Sequence, residues 1–216
     1  MMLPGCGTGE ALVGVVVAVP EPLASRLRAV RAAAGDPEAD IPPHVTLVGP
    51  TCVPDVRAVD AHLSRVAGAH RPFGVHLRGT GTFRPVSPVV FVALADGADA
   101  CAALEADLRS GPLDVPARFP FHPHVTVAHD VGDGALDAAQ AAAGDVDVRF
   151  EVDRLFRFVH DGTAWQPVRT FLLGTGEPVL CPDAPPEDAV PGAPHGVSAA
   201  DAPAGAGAVV PGMPPR

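Results

Sequence analysis

The chain has 216 residues, enough for one domain with flanking segments, and 47% of them are hydrophobic, enough for a sizeable core. Its formal net charge is −10, and all of its basic residues are Arg. This balance argues against a broad basic surface that follows a nucleic-acid backbone, but it leaves room for a small pocket that holds one phosphorylated end.

Strands and helices alternate in the first third of the chain. The apolar run 12–19 predicts a buried strand, after which Pro22 opens a helix that Gly35 ends. Residues 44–48 predict a short strand, and Pro54-Asp55 opens a second helix. The apolar side chains expected on the inner faces of these helices are Leu23, Leu27, Val30, Val56, Val59, Leu63 and Val66.

The same alternation continues toward the C-terminus. The remaining predicted elements are strands at 73–83 and 88–94 joined by a glycine-rich turn, a helix at 99–109, a strand at 124–128, a helix at 134–143, and two or three strands within 147–161 and 167–174. Together they predict an α+β protein with two pseudo-symmetric lobes. Each lobe is a sheet backed by helices, and a central cleft lies between them.

Composition sets the expected domain bounds. Residues 1–10 are rich in small residues and are expected to be flexible, and residues 11–176 form the domain. Residues 177–216 are rich in Pro, Ala and Gly and are expected to be a disordered tail, since they offer few large side chains to bury.

The cysteines and the longest apolar run indicate a compartment. Cys6, Cys52, Cys101 and Cys181 are scattered without CxxC spacing, so they are expected to be reduced thiols. The run 11–19 is too short to span a bilayer, and no basic segment or cleavage site flanks it. These features predict a cytoplasmic protein without a membrane partner, and we expect it to be a monomer.

One tetrapeptide, Pro-His-Val-Thr, occurs once in each predicted half. Side chains i and i+2 of a strand share a face, so His44 lies beside Thr46 and His124 beside Thr126, while the intervening valines anchor each strand in the core. Two imidazoles and two hydroxyls across a cleft suit phosphodiester cleavage without a metal. One His would take a proton from water and the other would give one to the leaving oxygen, while the Thr hydroxyls bind phosphate oxygens.

At these motifs the sequence resembles the 2H phosphoesterase superfamily, and within it the bacterial 2'-5' RNA ligase-like branch that includes RNA 2',3'-cyclic phosphodiesterases. The resemblance covers residues 11–174. It implies a two-lobed antiparallel fold, no cofactor, and hydrolysis of a 2',3'-cyclic phosphate on an RNA end or a small nucleotide to a 2'-phosphate. By that analogy His44 protonates the 3' oxygen and His124 activates water, and the reverse assignment stays open.

The resemblance is incomplete at one position. RNA-processing members often carry Arg shortly after the second motif, and here that position is His129, a candidate phosphate contact. Further candidate substrate contacts are Phe83 and Trp165, which could stack on a base, and Arg84 and Arg118, which could bind phosphate.

Other interpretations of the sequence stay open. A non-catalytic module that binds a nucleotide or an RNA end, or a 2'-5' RNA ligase, would use the same cleft. A metal hydrolase built on His122, His124 and His129 is a further alternative. His62, His70 and His76 are expected on the surface.

Overall fold

The computed structural model describes residues 3–116, 119–182 and 184. It confirms the α+β class: antiparallel strands and four α-helices alternate along the chain. The elements are β1 Ala11–Ala18, α1 Leu23–Ala34, β2 His44–Val53, α2 Val56–Ala69, β3 Phe73–Thr82, β4 Val89–Asp96, α3 Ala98–Leu108, a 3-10 turn Gly111–Leu113, β5 His124–His129, α4 Asp133–Ala142, β6 Asp147–Val152, β7 Arg154–His160, β8 Trp165–Leu172 and β9 Pro178–Leu180.

The strands lie in the order β6-β3-β4-β5-β2-β1-β7-β8-β9. The units β1-α1-β2-α2 and β4-α3-β5-α4 repeat the same order of elements, and their second strands, β2 and β5, lie side by side at the centre. The two halves of the sheet are therefore related by an approximate two-fold axis between β2 and β5. The pseudo-symmetric arrangement of the two Pro-His-Val-Thr strands follows from it.

The joint between the two halves is narrow. Strands β1 and β2 pair along most of their length, from Ala11 with Val53 to Ala18 with His44, whereas β2 and β5 pair only at Val45 and Val125. The two predicted lobes are thus joined into one sheet at a single position.

The helices form the hydrophobic core with one face of the sheet. Helices α1 and α4 pack together over β5, and α2 and α3 pack over β8 and β2. Val45 and Val125 belong to this core with the odd-numbered residues of β1, while Leu12, Val16 and Phe158 are buried outside it. The face opposite the helices is therefore the one that is open to a ligand.

Local signals fix the ends of two helices where the sequence predicts them. The Asp55 carboxylate accepts hydrogen bonds from the backbone N–H groups of Arg57 and Ala58, at 2.9 and 3.2 Å, and so caps α2. Gly35 ends α1 with φ +72°, a left-handed conformation that suits glycine. No helix within the described ranges is long and apolar enough to cross a membrane.

The predicted glycine-rich turn is wrong in position. Gly79 and Gly81 lie within β3, and the turn that joins β3 to β4 is the segment 83–88. Gly79 has φ +78° at a register shift between β3 and β4, and a Cβ on Gly81 would lie 2.5 Å from the ring of Phe91. These glycines therefore serve a bulge and a close ring contact rather than a turn.

The structure moves the C-terminal bound of the domain and joins the N-terminal segment covalently to the sheet. Strand β9, Pro178–Leu180, pairs with β8, so the domain continues past residue 176 into the predicted tail. At the other end, Cys6 forms a disulfide with Cys52, with 5.4 Å between their Cα atoms. The prediction of four reduced thiols is wrong because the segment before β1 passes the end of β2.

The rest of the predicted tail, residues 183 and 185–216, lies outside the described residues.

Histidines expected on the surface are in part buried. His62 is 2% exposed, with its Nε2 3.0 Å from the carbonyl oxygen of Leu108, and His76 is 6% exposed, with its Nε2 2.6 Å from Asp147. Only His70, paired with an exposed carboxylate, resembles the prediction. Periodicity did not predict the burial of His62 and His76, because each ring is stabilised by a partner that is distant in the sequence.

Candidate active site

The central pair of strands brings the two motifs together. Val45 and Val125 are opposite each other and fully buried, so the residues on either side of each valine face away from the core. The same antiparallel register sets His44 beside Thr126 and Thr46 beside His124. The two histidines are thus diagonal neighbours, with Cβ atoms roughly 7 Å apart, across the joint between the lobes.

Both imidazoles are held by the same local contact. The Nδ1 of His44 lies 2.7 Å from the carbonyl oxygen of Pro42, and the Nδ1 of His124 lies 2.7 Å from that of His122. A carbonyl only accepts, so each Nδ1 carries the proton, and the lone pair of a neutral ring is on Nε2. Nε2 of each ring is thus left to exchange protons with a ligand.

Burial makes both rings poor at holding a second proton. It lowers the pKa of His44 to about 4 against the opposing effect of the Pro42 hydrogen bond, and the charges of Arg31 and His124 lower it further. Burial also lowers the pKa of His124, again opposed by its backbone hydrogen bond, and the neighbouring His122 adds to the lowering. The unliganded site is therefore set up for neutral imidazoles.

An aromatic wall, formed by Phe83, Phe91 and His122, lies next to the second motif. The rings of Phe83 and Phe91 have centroids 4.5 Å apart, and they lie 4.9 and 5.2 Å from the ring of His124. His122 closes the set, with its ring 6.1 Å from that of His124. Phe83, a predicted substrate contact, is therefore beside one of the predicted catalytic rings.

Trp165 lies on the same open face of the other lobe. Its ring packs edge-on against His160, with centroids 5.3 Å apart, and its indole lies 3.6 Å from where a Cβ on Gly14 would be. Gly14 and Val16 share a face of β1, and Val16 is paired with Thr46. The indole thus covers the sheet two positions along β1 from the site.

His129 does not face a ligand. Its side chain is buried, with Nδ1 3.0 Å from Asp36 and Nε2 3.4 Å from Glu38. Its hydrogen bond to Asp36 raises the pKa of His129 against the effect of burial. The prediction that His129 contacts phosphate is therefore wrong, because the ring is bound to carboxylates of the segment that precedes β2.

Asp36 joins His129 to the first motif. Burial acts to raise the pKa of Asp36, but hydrogen bonds from His129, from the backbone of Glu38 and from Arg31 outweigh it and lower that pKa to about 2. Arg31 also donates to the carbonyl oxygen of Ile41, at 3.1 Å. This buried network, which we call the Asp36 network, supports the segment whose next carbonyl, that of Pro42, holds His44.

The remaining predicted contacts differ in outcome. The guanidinium of Arg84 is paired with Asp133 and Asp137 of α4, at 3.2 and 2.6 Å, so its charge is already matched by two carboxylates. Arg118 lies outside the described residues.

The ligand set of the alternative metal site does not converge. His122 and His124 are neighbours, but His129 is bound to Asp36. Within residues 3–116, 119–182 and 184, the one group with suitably close ligand atoms is Cys6, Glu10 and Cys52, and its two sulfurs are joined in the disulfide.

Sequence reasoning missed the supporting residues of the site. Arg31 and Asp36 carry no motif, and Asp36 meets His129 across 93 positions of the chain. The sequence places Phe91 in a strand without a role, and its contact with Gly81 follows only from the pairing of β3 with β4. For His122 the sequence suggests only the role of a metal ligand.

The family comparison now identifies the class of protein. The model of the 2'-5' RNA ligase superfamily matches residues 19–164, which include both motifs. The chain therefore belongs to the 2'-5' RNA ligase superfamily of 2H phosphoesterases, as the two motifs predicted.

Curated relatives agree with this assignment. A protein of Bacillus licheniformis is 29% identical over 143 residues, covering 62% of this chain and 82% of the relative. A protein of Geobacillus kaustophilus is 25% identical over 171 residues, covering 77% and 98%. Both are provisionally named phosphoesterases.

Solved structures support the fold. Apo LigT of Escherichia coli has a TM-score of 0.55 and 21% identity, covering 76% of this chain and 98% of its own. A protein of Thermus thermophilus has a TM-score of 0.53 and 23% identity, covering 77% and 100%.

Proposed function

We propose that the protein is a phosphodiesterase that hydrolyses a 2',3'-cyclic phosphate to a 2'-phosphate by two-histidine acid–base catalysis without a metal. The observation that carries this proposal is the diagonal pair of imidazoles on the open face, each with its Nδ1 bound to a backbone carbonyl. This arrangement gives a proton acceptor and a proton donor on either side of one phosphate.

The reaction needs two proton transfers. One imidazole takes a proton from water, whose oxygen forms the new bond to phosphorus, while the bond from phosphorus to the 3' oxygen breaks. The other imidazole gives its proton to that oxygen, and exchange with solvent restores both rings. The hydroxyls of Thr46 and Thr126 donate hydrogen bonds to the non-bridging oxygens, which carry more charge in the transition state.

The environment of His44 bears on which ring is the base. A pKa of about 4 leaves His44 unprotonated near neutral pH before substrate binds, which suits a general base. The pKa of His124 is lowered as well, so we propose His44 as the base and His124 as the acid, the reverse of the order that the resemblance implies, as the order that the leaving-group test decides. The substrate phosphate would supply the negative charge that keeps a proton on His124.

Neighbouring structures point to nucleotides as the substrate class. LigT has been solved in complex with 3'-AMP, with ATP and with NADP+. In this chain the rings of Phe83 and Trp165 lie on the two lobes and could each stack on a base. A nucleotide or RNA end bearing a cyclic phosphate fits this cleft.

The test is hydrolysis of 2',3'-cyclic mononucleotides and of cyclic-phosphate-ended RNA in the presence of a chelator, with identification of the product isomer. We expect His44→Ala and His124→Ala each to lower the rate by about 10²-fold or more, a typical share for a proton-transfer group. With a p-nitrophenyl phosphodiester, whose leaving group needs no proton, only the variant that lacks the base should stay slow.

Three results would count against this proposal. Near-normal turnover of the cyclic phosphate by either variant would remove that histidine from catalysis. Binding without turnover by the wild type would favour a binding module, and joining of 5'-hydroxyl ends would favour a ligase. Retained p-nitrophenyl activity in His44→Ala, with loss in His124→Ala, would restore the assignment that the resemblance implies.

A further inference from the structure

His122 differs from the other histidines of the described residues in its hydrogen bonding. Neither of its ring nitrogens has a hydrogen-bond partner within residues 3–116, 119–182 and 184, whereas every other described imidazole has one. Those partners are Pro42 for His44, Leu108 and Arg65 for His62, Asp107 for His70, Asp147 for His76, the His122 backbone for His124, Asp36 for His129 and Gly162 for His160.

The ring of His122 is nevertheless held in place. It meets Phe83 edge-on, with centroids 5.5 Å apart and planes at 80°, and it meets Phe91 at 5.4 Å and 68°. Edge-to-face contacts of this kind favour one ring orientation. The residue is exposed, and its ring packs against two phenylalanine rings while neither ring nitrogen is engaged by another described residue.

His122 also extends the row of the second motif. It precedes His124 by two positions, and its carbonyl oxygen accepts the Nδ1–H of that ring. Its ring centroid lies 6.1 Å from that of His124, and it precedes the strand that begins at His124, so it is on the side of His124 away from Thr126. A group next to the phosphate held between His44 and His124 lies within its reach.

From this position we infer that His122 binds a second phosphate group of the substrate, adjacent to the phosphate that is cleaved. The inference rests on the proposed function, because that function places the first phosphate. An imidazole carries at least one N–H in either protonation state, so it donates a hydrogen bond to a phosphate oxygen. The second group is either the 5'-phosphate of the same nucleotide or the next phosphodiester of an RNA chain.

The experiment measures binding of product-like ligands to the full chain by calorimetry. The ligands are adenosine 2'-phosphate, adenosine 2',5'-bisphosphate and the adenylyl dinucleotide that ends in a 2'-phosphate. We expect the wild type to bind at least one ligand with a second phosphate roughly tenfold more tightly than adenosine 2'-phosphate, the usual scale for a hydrogen bond to a charged group. Preference for the bisphosphate or for the dinucleotide identifies the source of the second phosphate.

Two variants and a control assign this preference to the ring nitrogens. His122→Phe keeps an aromatic ring against Phe83 and Phe91 but removes both nitrogens, so it should lower the preference for the ligand with a second phosphate by roughly tenfold, with affinity for adenosine 2'-phosphate within about twofold of the wild type. His122→Gln restores a donor and should recover part of the preference. His70→Gln, a change to an imidazole at the C-terminal end of α2, should behave as the wild type.

Other results would overturn the inference. Equal binding of the three ligands by the wild type, or an undiminished preference in His122→Phe, would mean that His122 does not bind phosphate. Because the ligands are not turned over, these results stand apart from the hydrolysis assay. Absence of hydrolysis, with the preference intact, would count against the proposed reaction and not against this subsite.

Discussion

At the scale of single residues, the site repeats one local arrangement. In both motifs the carbonyl two residues before the His accepts its Nδ1–H, at 2.7 Å in each case. This contact depends on chain conformation and not on a distant side chain, so any segment that enters its strand in the same way reproduces it. The two rings therefore present the same nitrogen to a ligand although they belong to different lobes.

The lowered pKa values of the two histidines predict an acidic pH optimum for kcat/KM, which reports the free enzyme. Activity should rise as His44 loses its proton near pH 4 and fall as His124 loses its own, below the ordinary value of about 6.5. If His124 is the base and His44 the acid, the same bell-shaped dependence of kcat/KM on pH is expected. A pH series with 2',3'-cyclic AMP measures it.

The profile of kcat alone gives a control for this prediction. A bound phosphate anion favours the protonated form of a nearby imidazole, so the kcat profile should lie at higher pH than that of kcat/KM. An optimum of kcat/KM above about pH 7.5 would contradict the lowering of both pKa values.

At the scale of elements, the sequence sufficed for the strands of the site and failed for the segments that support them. The strand period of two residues puts the four functional side chains of the motifs on one face, so the sequence alone predicts the positions of His44, Thr46, His124 and Thr126. The helix ends at Gly35 and Asp55 were readable for similar reasons, since caps act within one turn.

What could not be predicted depends on contacts between distant parts of the chain. The sequence predicts a phosphate contact for His129, but the partner of this ring is set by how α1 packs over β5, which no local pattern records. The Cys6–Cys52 disulfide likewise required the pairing of β1 with β2. Both features join segments whose proximity follows from the completed sheet.

The Asp36 network predicts a large effect of Asp36→Asn on stability. The change would leave the Arg31 guanidinium, which is 3% exposed, without its carboxylate. Removing one partner of a buried ion pair typically costs about 3 kcal/mol or more of unfolding free energy. Urea unfolding measures it, with Asp40→Asn, at an exposed carboxylate of the same segment, as the matched control.

The same network makes this stabilisation depend on pH. The folded-state pKa of His129 is raised, so its contribution is complete below the ordinary value of about 6.5 and is lost as the pH rises through the folded-state value. The difference between wild type and Asp36→Asn should therefore narrow toward alkaline pH. A difference that is constant from pH ~6 to pH ~9 would exclude His129 from the network.

At the scale of the whole molecule, the disulfide connects the N-terminal segment to the sheet. Cys6 and Cys52 are 46 positions apart, and closing a loop of that length stabilises the folded state by about 4 kcal/mol in the chain-entropy model. Cys6→Ser should therefore lower Tm by roughly 10 °C and make Tm insensitive to reductant. Cys181→Ser, which changes a free cysteine, should keep the wild-type response.

Strand β9 predicts where the chain can be shortened. Truncation after Gly176 would remove the strand that pairs with β8 and cut the chain at the residue whose carbonyl accepts the Ser64 hydroxyl, so Tm should fall. Truncation after Ala184 keeps these contacts and removes a segment with few large apolar side chains, so Tm and activity should stay unchanged. Equal Tm values for the two truncations would show that β9 adds nothing to stability.

Trp165 gives the molecule a built-in optical reporter. The chain has one Trp and no Tyr, so its near-ultraviolet emission arises from a single indole on the open face of the lobe that contains β2, β1, β7 and β8. A ligand that reaches across to that lobe will change this emission, whereas one confined to the aromatic wall of the second lobe will leave it largely unaltered. Label-free titrations can therefore tell which side of the cleft a nucleotide occupies.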